Sequence, residues 1–425
     1  MATILTYAEA AALVLEHAQR LASAIPRCTE RLSLLDALHR VLAAPVLADR
    51  NLPPFHRSTR DGYAIQAASL ATGDWLPVIG TLRAGEAAPF APLAIGAALE
   101  IMTGAPVPEG ADAVVMLEHV EIGSGILDGK IRLQPDRTVR PGNHIVPAAS
   151  EAHVGDPLVA AGTRIILTHI GALAAAGAPQ VAVFAKPRVA ILATGDELVE
   201  IDATPQPHQI RNSNSYSLSA QVTVAGGEPV RLGIAHDNLD DLRAHLERAQ
   251  KSCDLLLLSG GVSAGKYDLV EQALAERGAV FHFTGVRIQP GKPTVFGELP
   301  PKGSDAAPLP FFGLPGNPVA MIVTFLTIVR PALLRLAGVE ARSPRRFPVT
   351  ADFQMTRRPG KREFLRCSLY EGEGYNLLAR RFERGGSGVL SSVADSEGLL
   401  EVPEDVAEIV PGITLPFIPF SSLGL

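Results

Sequence analysis

Strand and helix patterns alternate along residues 187–337, and this alternation constrains the fold more than any other feature of the chain. PRVAILATGDEL (187–198) and DLLLLSGG (254–261) are apolar strands that run into polar or Gly-rich loops, and helical segments separate them. Strands that are apolar throughout are typical of a parallel sheet with helices on both faces, because both sides of each strand are buried. We therefore predict an α/β domain in three layers over these residues.

The segments on either side have other patterns. Residues 7–44 predict two helices separated by a turn at SAIPRCTE (23–30), and LTHIGALAAAGA (167–178) is helical in character. From Pro45 to about Pro147, short β-rich pieces bounded by Gly and Pro indicate an irregular β domain. Short alternating stretches over 347–425 indicate a small all-β domain.

Composition limits the kind of protein. A chain of 425 residues is long enough for several domains. Thirty-eight basic and 44 acidic residues give a net charge of −6, which argues against a nucleic-acid-binding face. The cysteines, at positions 28, 253 and 367, are widely spaced and indicate neither a zinc site nor a disulfide framework. Thr6 and Glu9 form a capping-box pattern where a signal peptide would need a long apolar run, so we expect a soluble, cytoplasmic protein without a membrane span.

Four polar or Gly-rich loops follow strands of the α/β region. They are TGDEL (194–198), HDN (236–238), SGGVSAGKYD (259–268) and GLPGNP (313–318). In an open α/β sheet, ligands bind outside the carboxyl ends of the strands. We therefore expect these loops to meet around one ligand.

The loops combine groups that bind anions with groups that bind cations. Backbone amides at glycines, two hydroxyls and a helix cap can approach a phosphate closely, and these are at Gly260, Gly261, Gly265, Ser259, Ser263 and Asn317. Lys292 in QPGKP adds a fixed positive charge. Carboxylates are present at Asp196, Glu197, Asp237 and Asp268. Because carboxylates repel phosphate unless a cation lies between them, the combination predicts Mg²⁺ bridging an anionic ligand.

Each of these features also has an ordinary structural explanation. A Gly-Gly pair after a strand is commonly only a turn, and Asp268 at the start of a helix can be an N-cap. Gly260, Gly265 and Lys266 also fit the Walker phosphate loop. Tyr267 stands where that loop requires Ser or Thr for magnesium, so the sequence argues against a P-loop NTPase.

Two segments outside the α/β region also have the character of a site. FHRSTRDGYAI (55–65) brings Arg57, Arg60 and Asp61 together beside a glycine, and IMTGAPVP (101–108) places Thr103 in a similar turn. A solvated turn with local ion pairs is the structural alternative.

Taken in order, seven motifs resemble the molybdopterin molybdenumtransferases, the MoeA-type enzymes related to the E domain of gephyrin. The motifs are RDGYAI, IMTGAPVPEGADAVV, TGDEL, IRNSNSYSL, LLLLSGGVSAGKYD, QPGKPTVFG and GLPGNPVA. The resemblance spans about residues 7–420 and implies a multidomain α/β plus β protein. It implies a helical linker domain (1–50 with 143–184), a β domain carrying DGYA (51–142), a three-layer parallel molybdopterin-binding α/β domain (185–340) and a small β-barrel-like C-terminal domain (345–425).

The resemblance implies molybdenum cofactor biosynthesis, in which molybdate is inserted into adenylylated molybdopterin with Mg²⁺ and AMP is released. It implies a homodimer whose site is shared between subunits, a molybdopterin adenylyltransferase as donor, and molybdoenzyme delivery proteins as acceptors. Two alternatives remain: a non-catalytic gephyrin-like scaffold, and a related pterin- or nucleotide-binding enzyme on the same fold.

Roles for individual residues follow from the matching motifs. The expected catalytic residues are Asp61, Thr103, Glu197, Asp237, Asp268 and Lys292. The expected pterin- and phosphate-binding residues are Thr194, Gly195, Ser259, Gly260, Gly261, Ser263, Gly291, Pro315, Gly316, Asn317 and Pro318. The expected metal ligands are Asp196, Asp237 and Asp268. The chain departs from the usual motifs at Ser58-Thr59-Arg60 before DGYA, at Gly142-Asn143-His144 where two acids are common, and at Gln289, where many members have Lys.

Overall fold

The computed structural model describes residues 3–24, 27–71, 73–89, 91–261, 269–301, 307–339, 344–382 and 391–420. Clusters of buried hydrophobic side chains mark the units of the fold. Two clusters cover the two faces of the α/β sheet. Others lie in the β domain, in the C-terminal domain and in the linker region.

The α/β domain contains a six-stranded sheet. In spatial order its strands are Glu228–Ala235, Arg188–Thr194, Leu255–Ser259, Leu309–Leu314, Val295–Leu299 and Val280–Phe283. The first four strands are parallel, as the apolar pattern predicts. Val295–Leu299 is antiparallel to both of its neighbours, Leu309–Leu314 and the edge strand Val280–Phe283. The apolar pattern predicts a parallel sheet and does not reveal this reversal.

Helices cover both faces of this sheet. Leu255 and Leu257 pack towards helices Tyr7–Ala24 and Ser213–Val224, and the alternate leucines pack towards helices Leu239–Ser252 and Leu269–Glu276. Each fully buried leucine contributes about 1.5–3 kcal/mol. The three-layer prediction is confirmed.

The helix that ends the α/β domain has an internal irregularity. It comprises Pro318–Thr324, a π-helical turn Phe325–Val329 and Arg330–Leu336. Pro331 has no N–H to donate to the carbonyl of Thr327, and the Tyr7 hydroxyl donates to that oxygen at 3.5 Å. Pro318–Leu336 is long and apolar enough to cross a membrane, but most of it is buried in the core.

The linker region corrects one prediction. Residues 7–44 do not form two helices, because helix Tyr7–Ala24 is followed by strand Thr29–Ser33, which pairs antiparallel with Gln180–Phe184. The leucines of RLSLLDAL fit a helical period, but pairing with the apolar strand prevails. Helix Leu167–Ala175 and the short strands Val46–Leu47 and Pro157–Val159 complete this unit.

The first helix begins with the predicted capping box. Glu9 N donates to Thr6 Oγ1 at 3.3 Å and Thr6 N donates to Glu9 Oε2 at 2.8 Å. These hydrogen bonds hold the pKa of Glu9 below its usual value. The helix buries Tyr7 and Val14 in the core of the α/β domain, and the preceding strand Ile4–Leu5 pairs with Gly285–Val286.

The β domain contains a second six-stranded sheet. Its strands in spatial order are Ala113–Met116, Gly62–Ile65, Ala98–Ile101, Leu76–Leu82, Lys130–Leu133 and Val120–Ile122. Gly62 of the DGYA motif has no room for a side chain, since an added Cβ would lie 1.9 Å from the carbonyl oxygen of Val115. Strand Arg57–Ser58 pairs with Ile145–Val146, and helix Ala67–Ala71 follows strand Gly62–Ile65 along the chain. 3₁₀ turns form at Leu117–His119 and Gly125–Leu127.

The C-terminal domain is a closed barrel, as expected. Its strands are Phe347–Ala351, Arg362–Glu371, Leu377–Arg381, Gly398–Val402 and Thr414–Pro419. Closure follows because Arg362–Glu371 pairs with both Leu377–Arg381 and Gly398–Val402. Strand Ile288–Gln289 of the α/β domain joins the barrel parallel to Arg362–Glu371. Smaller elements are Met355–Thr356 paired with Glu408–Ile409, the parallel pair Leu198–Val199 and Ile210–Arg211, helix Ser391–Ala394, and turn Glu373–Tyr375.

Candidate functional site

Two of the strand-end loops pack directly against each other. Gly260 and Gly261 have φ angles of +90° and +62°, and both lie on Thr194. An added Cβ would lie 2.7 Å from Thr194 O at Gly260 and 2.6 Å from Thr194 Oγ1 at Gly261. Only glycine fits this turn, so the backbone of the loop lies against the end of the neighbouring strand.

Asn214, which was not among the predicted site residues, links the glycine loop to the GLPGNP loop. Its Nδ2 donates to Ser259 Oγ at 2.9 Å and to the carbonyl oxygen of Gly316 at 2.8 Å. Asn214 lies in the first turn of helix Ser213–Val224, whose N-cap is Asn212. The motif IRNSNSYSL pointed to this segment, but the single side chain that bridges the loops could be found only from the fold.

Two buried polar atoms at this junction have no hydrogen-bond partner among the described residues. They are Asn214 Oδ1 and Thr194 Oγ1. Buried polar atoms in native proteins are normally paired, with protein, water or a bound molecule. Asn214 Oδ1 lies beside the glycine and GLPGNP loops and Thr194 Oγ1 lies against the glycine loop, so the surroundings of the glycine loop are where a polar ligand would lie.

Three of the expected carboxylates lie at adjacent strand ends. Asp196 Oδ1 accepts from the backbone N–H of Asp237 at 3.2 Å and lies 3.3 Å from His236 Nδ1. The Glu197 carboxylate folds over Gly195, where an added Cβ would lie 2.4 Å from its Oε2. Asp268 and Ser263, with Gly265, Lys266 and Tyr267, lie outside the described residues.

The GLPGNP loop positions the helix that follows it. Asn317 is the N-cap: its Oδ1 accepts from the backbone N–H of Val319 at 3.2 Å, and Pro318 occupies the first helical turn. An added Cβ on Gly316 would lie 3.6 Å from Gly260 Cα. The loop therefore lies directly beside the glycine loop, as the sequence predicts.

Asp61 and Thr103 also come together, within the β domain. Asp61 Oδ1 accepts from Thr103 N at 2.7 Å and from Thr103 Oγ1 at 2.8 Å. These two hydrogen bonds, the backbone one first, hold the pKa of Asp61 below its usual value. Arg60 and His144, which both depart from the usual motifs, lie close together, since the Thr59 N–H donates to the His144 carbonyl at 2.9 Å. Burial, and then the charge of Arg60, lower the pKa of His144.

A cavity of about 490 Å³ opens between the α/β domain and the barrel. Lys292, Pro315 and Asn317 line it on one side. Gly291 has φ +119°, and an added Cβ there would lie 2.6 Å from the Thr324 methyl group, so the PGKP turn requires glycine. The GLPGNP loop thus lines the cavity through Pro315 and Asn317 and contacts the strand-end crevice through Gly316.

The barrel lines the opposite wall with cations that the residue predictions did not include. These are Lys361, Arg366 and Arg381; Glu363 also lines this wall and is paired with Arg357 Nε at 2.9 Å. Lys361 Nζ donates to Gln289 Oε1 at 3.4 Å, so a cation accompanies the glutamine that replaces the more usual lysine. Burial, and then the charge of Arg381, lower the pKa of Arg366. The basic segment RRPGKREFLR (357–366) was the available sequence signal.

The fold and these loops define a class of protein, one with a parallel α/β domain whose Gly-rich loops and carboxylates meet at the strand ends. Residues 190–335 match the family described as a probable molybdopterin binding domain. Residues 5–177 match the MoeA N-terminal region (domains I and II), and residues 348–420 match the MoeA C-terminal region (domain IV). The chain belongs to the MoeA family.

Similar proteins agree along nearly the full length. A molybdopterin molybdenumtransferase from a Nostoc species is 35% identical over 386 residues, covering 88% of this chain and 85% of that protein. One from Haemophilus influenzae is 31% identical and covers 94% and 95% of the two chains. The crystal structure of a molybdopterin biosynthesis MoeA protein from Pyrococcus horikoshii OT3 is similar with a TM-score of 0.79 at 28% identity, covering 98% of this chain and all of that one.

Proposed function

We propose that the chain is a molybdopterin molybdenumtransferase, which inserts molybdate into adenylylated molybdopterin and releases AMP during molybdenum cofactor biosynthesis. The observation that carries this proposal is the strand-end crevice, where glycine backbone, carboxylates and two buried polar atoms without a partner among the described residues converge. A scaffold gains no stability from acids placed side by side, which supports an enzyme.

The crevice fits the phosphate part of such a substrate. The Gly261 N–H and the Ser259 hydroxyl offer donors, and Ser263 would add a second hydroxyl; the Gly260 N–H is held by the Leu314 carbonyl at 3.3 Å. Thr194 Oγ1 and Asn214 Oδ1 lie beside them without a partner among the described residues. These groups would orient the pterin phosphate without any covalent step.

The donor set also fits Mg²⁺. Asp196 and Asp237 lie at the ends of adjacent parallel strands and offer oxygen ligands, the type that a hard divalent cation prefers. With Asp268 as a further ligand, they would hold the ion; Glu197 would lie beside it. Bound Mg²⁺ supplies charge stabilisation for phosphoryl oxygens.

The positive cavity fits the molybdate substrate. Lys292 faces the barrel cations across a space of about 490 Å³, and an oxyanion would neutralise their mutual repulsion. Pro315 and Asn317 line this cavity, while Gly316 between them is bonded to Asn214 in the crevice. Molybdate would therefore lie one loop away from the pterin.

The Asp61–Thr103 pair would complete the site from the partner subunit of a homodimer. Its carboxylate stays ionised because the pKa is lowered, so it can accept hydrogen bonds across an interface. We further propose a cytoplasmic location, supply of substrate by a molybdopterin adenylyltransferase, and product transfer to molybdoenzyme delivery proteins, with no nucleic-acid or membrane partner.

The test is to incubate the purified protein with adenylylated molybdopterin, Mg²⁺ and molybdate and to measure AMP by chromatography. We expect molybdate-dependent AMP release, reduced by about 10²-fold in Lys292→Gln, since one positive donor to a developing charge is lost. Lys251→Gln is the matched control, because Lys251 pairs with Glu247 on an exposed helix face. Pterin binding without AMP release would overturn the transferase in favour of a scaffold.

A further inference from the structure

Two histidines and a glutamate meet at the antiparallel edge of the α/β sheet, outside the proposed site. His17 lies on helix Tyr7–Ala24, His282 on strand Val280–Phe283 and Glu298 on strand Val295–Leu299. One ligand atom from each lies within 4.8 Å of the others. The first helix is thus joined to two strands by groups that all bind metal ions.

The cluster is largely buried. Glu298 is 8% exposed, and the Phe296 ring packs 5.6 Å from the His17 ring and 5.3 Å from the His282 ring. His282 Nε2 is buried and has no hydrogen-bond partner among the described residues; it lies 3.7 Å from Glu298 Oε2. An unpaired imidazole nitrogen beside a buried carboxylate leaves one coordination direction free.

We infer that these three side chains bind one Zn²⁺ or a similar borderline divalent ion. With bonds of about 2.0–2.1 Å, tetrahedral ligand atoms lie about 3.3 Å apart. His17 Nδ1 lies 2.8 Å from Glu298 Oε1 and His282 Nε2 lies 3.7 Å from Glu298 Oε2, so the carboxylate would rotate slightly for a single oxygen to share the ion with both imidazoles. Two imidazoles and a carboxylate, completed by water, suit zinc rather than Mg²⁺, which prefers oxygen ligands throughout.

Arg20 has a supporting role in this arrangement. Its Nη2 donates to both carboxylate oxygens of Glu298 at 2.7 Å and lies 3.0 Å from His17 Nδ1, so this nitrogen lies where the ion would bind and has to move aside. A carboxylate has lone pairs for a metal and for a hydrogen bond together, and such outer contacts orient metal ligands. The Arg20 side chain is 58% exposed, so it can adjust when an ion enters.

Burial, and then the charge of the neighbouring His17, lower the pKa of His282. Burial acts to raise the pKa of Glu298, but hydrogen bonds from His17 and Arg20 outweigh it and keep the carboxylate ionised. A bound ion would clamp the first helix to the sheet edge, independently of the proposed transferase reaction.

The experiment uses untagged, full-length protein treated with a chelator. Zn²⁺ is added in competition with a chromophoric chelator, and metal content is measured by elemental analysis. The melting temperature is recorded with and without Zn²⁺, and Co²⁺ is used as a spectroscopic substitute. The variants are His282→Gln and His17→Gln. The matched control is His245→Gln, since His245 is also partly buried but bonds to the Asp241 carbonyl.

We expect one Zn²⁺ per chain, a higher melting temperature with Zn²⁺, and tetrahedral Co²⁺ absorption bands. His282→Gln and His17→Gln should each lower Zn²⁺ affinity by at least about 100-fold, beyond what losing an outer contact does, while His245→Gln keeps it. Equal affinity in wild type and His282→Gln would overturn the inference. If both cluster variants fail to fold, wild-type protein without tetrahedral Co²⁺ bands would overturn it equally.

Discussion

At the scale of single residues, the Asp61–Thr103 pair gives a direct electrostatic test. Thr103→Val removes the hydroxyl donor but keeps the backbone N–H, so the pKa of Asp61 should rise part of the way towards about 3.9. A carboxyl whose pKa is lowered on folding stabilises the protein above its unfolded pKa, and this contribution is lost as pH falls through the folded pKa. The variant should therefore lose part of this contribution at neutral pH.

The measurement is a pH titration of the Asp61 carboxyl carbon by NMR. Thr103→Ser restores a hydroxyl donor and should leave the titration close to that of the wild type. An unchanged pKa in Thr103→Val would show that the hydroxyl bond does not form in solution.

A substitution at Gly260 tests the close packing of the glycine loop against Thr194. Gly260→Ala should cost about 1–2 kcal/mol for its positive φ and a further ~1–3 kcal/mol because the methyl meets the Thr194 carbonyl at 2.7 Å. Gly226→Ala is the control, since its φ of +91° is nearly the same but nothing lies within 4 Å of the added methyl. Denaturant unfolding and AMP release are measured together; equal losses of stability in both variants would argue against a tight contact.

The residue scale also shows what a sequence can and cannot predict about the site. Gly260 and Asn317 were predictable because a strand end, a glycine pair and a helix cap are local patterns. Asn214 was missed because its importance comes from two loops distant in sequence, Ser259 and Gly316, which only folding brings together. The cations of the barrel wall were missed for the same reason.

At the scale of elements, Asn214 links the start of one helix to two strand-end loops. Asn214→Asp keeps the shape but removes both N–H donors and places a carboxylate against the Gly316 carbonyl, which should cost about 1–3 kcal/mol. We expect Kd for the pterin substrate to rise by about tenfold or more. Asn376→Asp is the control, at an exposed asparagine that donates to the Glu373 carbonyl; equal binding by both variants would contradict the bridging role.

Helices with caps and strands with long apolar runs were predictable as elements. Helix Ser213–Val224 begins at Asn212 and helix Leu239–Ser252 at Asn238, both N-caps visible in the sequence. The segment after the first helix was not predictable, because its leucines fit a helix until pairing with Gln180–Phe184 is known. The antiparallel pairing of the edge strands Val295–Leu299 and Val280–Phe283 was also not predictable, because local patterns do not specify which strand each one pairs with.

At the scale of the whole molecule, a buried ionic network joins the first helix to the barrel. Glu401 accepts from Arg346 Nε at 2.6 Å and from Arg362 Nη1 at 2.7 Å, and the Arg362 guanidinium lies 4.8 Å from the Tyr7 ring centroid. The Glu401 side chain is 4% exposed. The network therefore holds the chain's beginning and its last domain together.

Glu401→Gln should lower the free energy of unfolding by about 3 kcal/mol, because Arg346 loses its buried counter-charge, whereas Arg362 keeps its pair with Glu404 at 2.8 Å. Glu121→Gln breaks the exposed pair with Arg132 and should cost less than about 1 kcal/mol. Chemical denaturation of both variants checks the difference. Similar small losses in the two would show that water reaches the Glu401 network.

The strand Ile288–Gln289 belongs to one domain by sequence and to the barrel by hydrogen bonding. The PGKP turn begins at the end of this strand. The distance between Lys292 and Arg366 therefore depends on the position of the barrel relative to the α/β domain. A change that tilts the barrel would resize the cavity while every loop residue stays the same. If the cavity holds molybdate, as proposed, discrimination between oxyanions of different radius is a property of the contact between two domains, and selection for it would act on residues that never touch the anion.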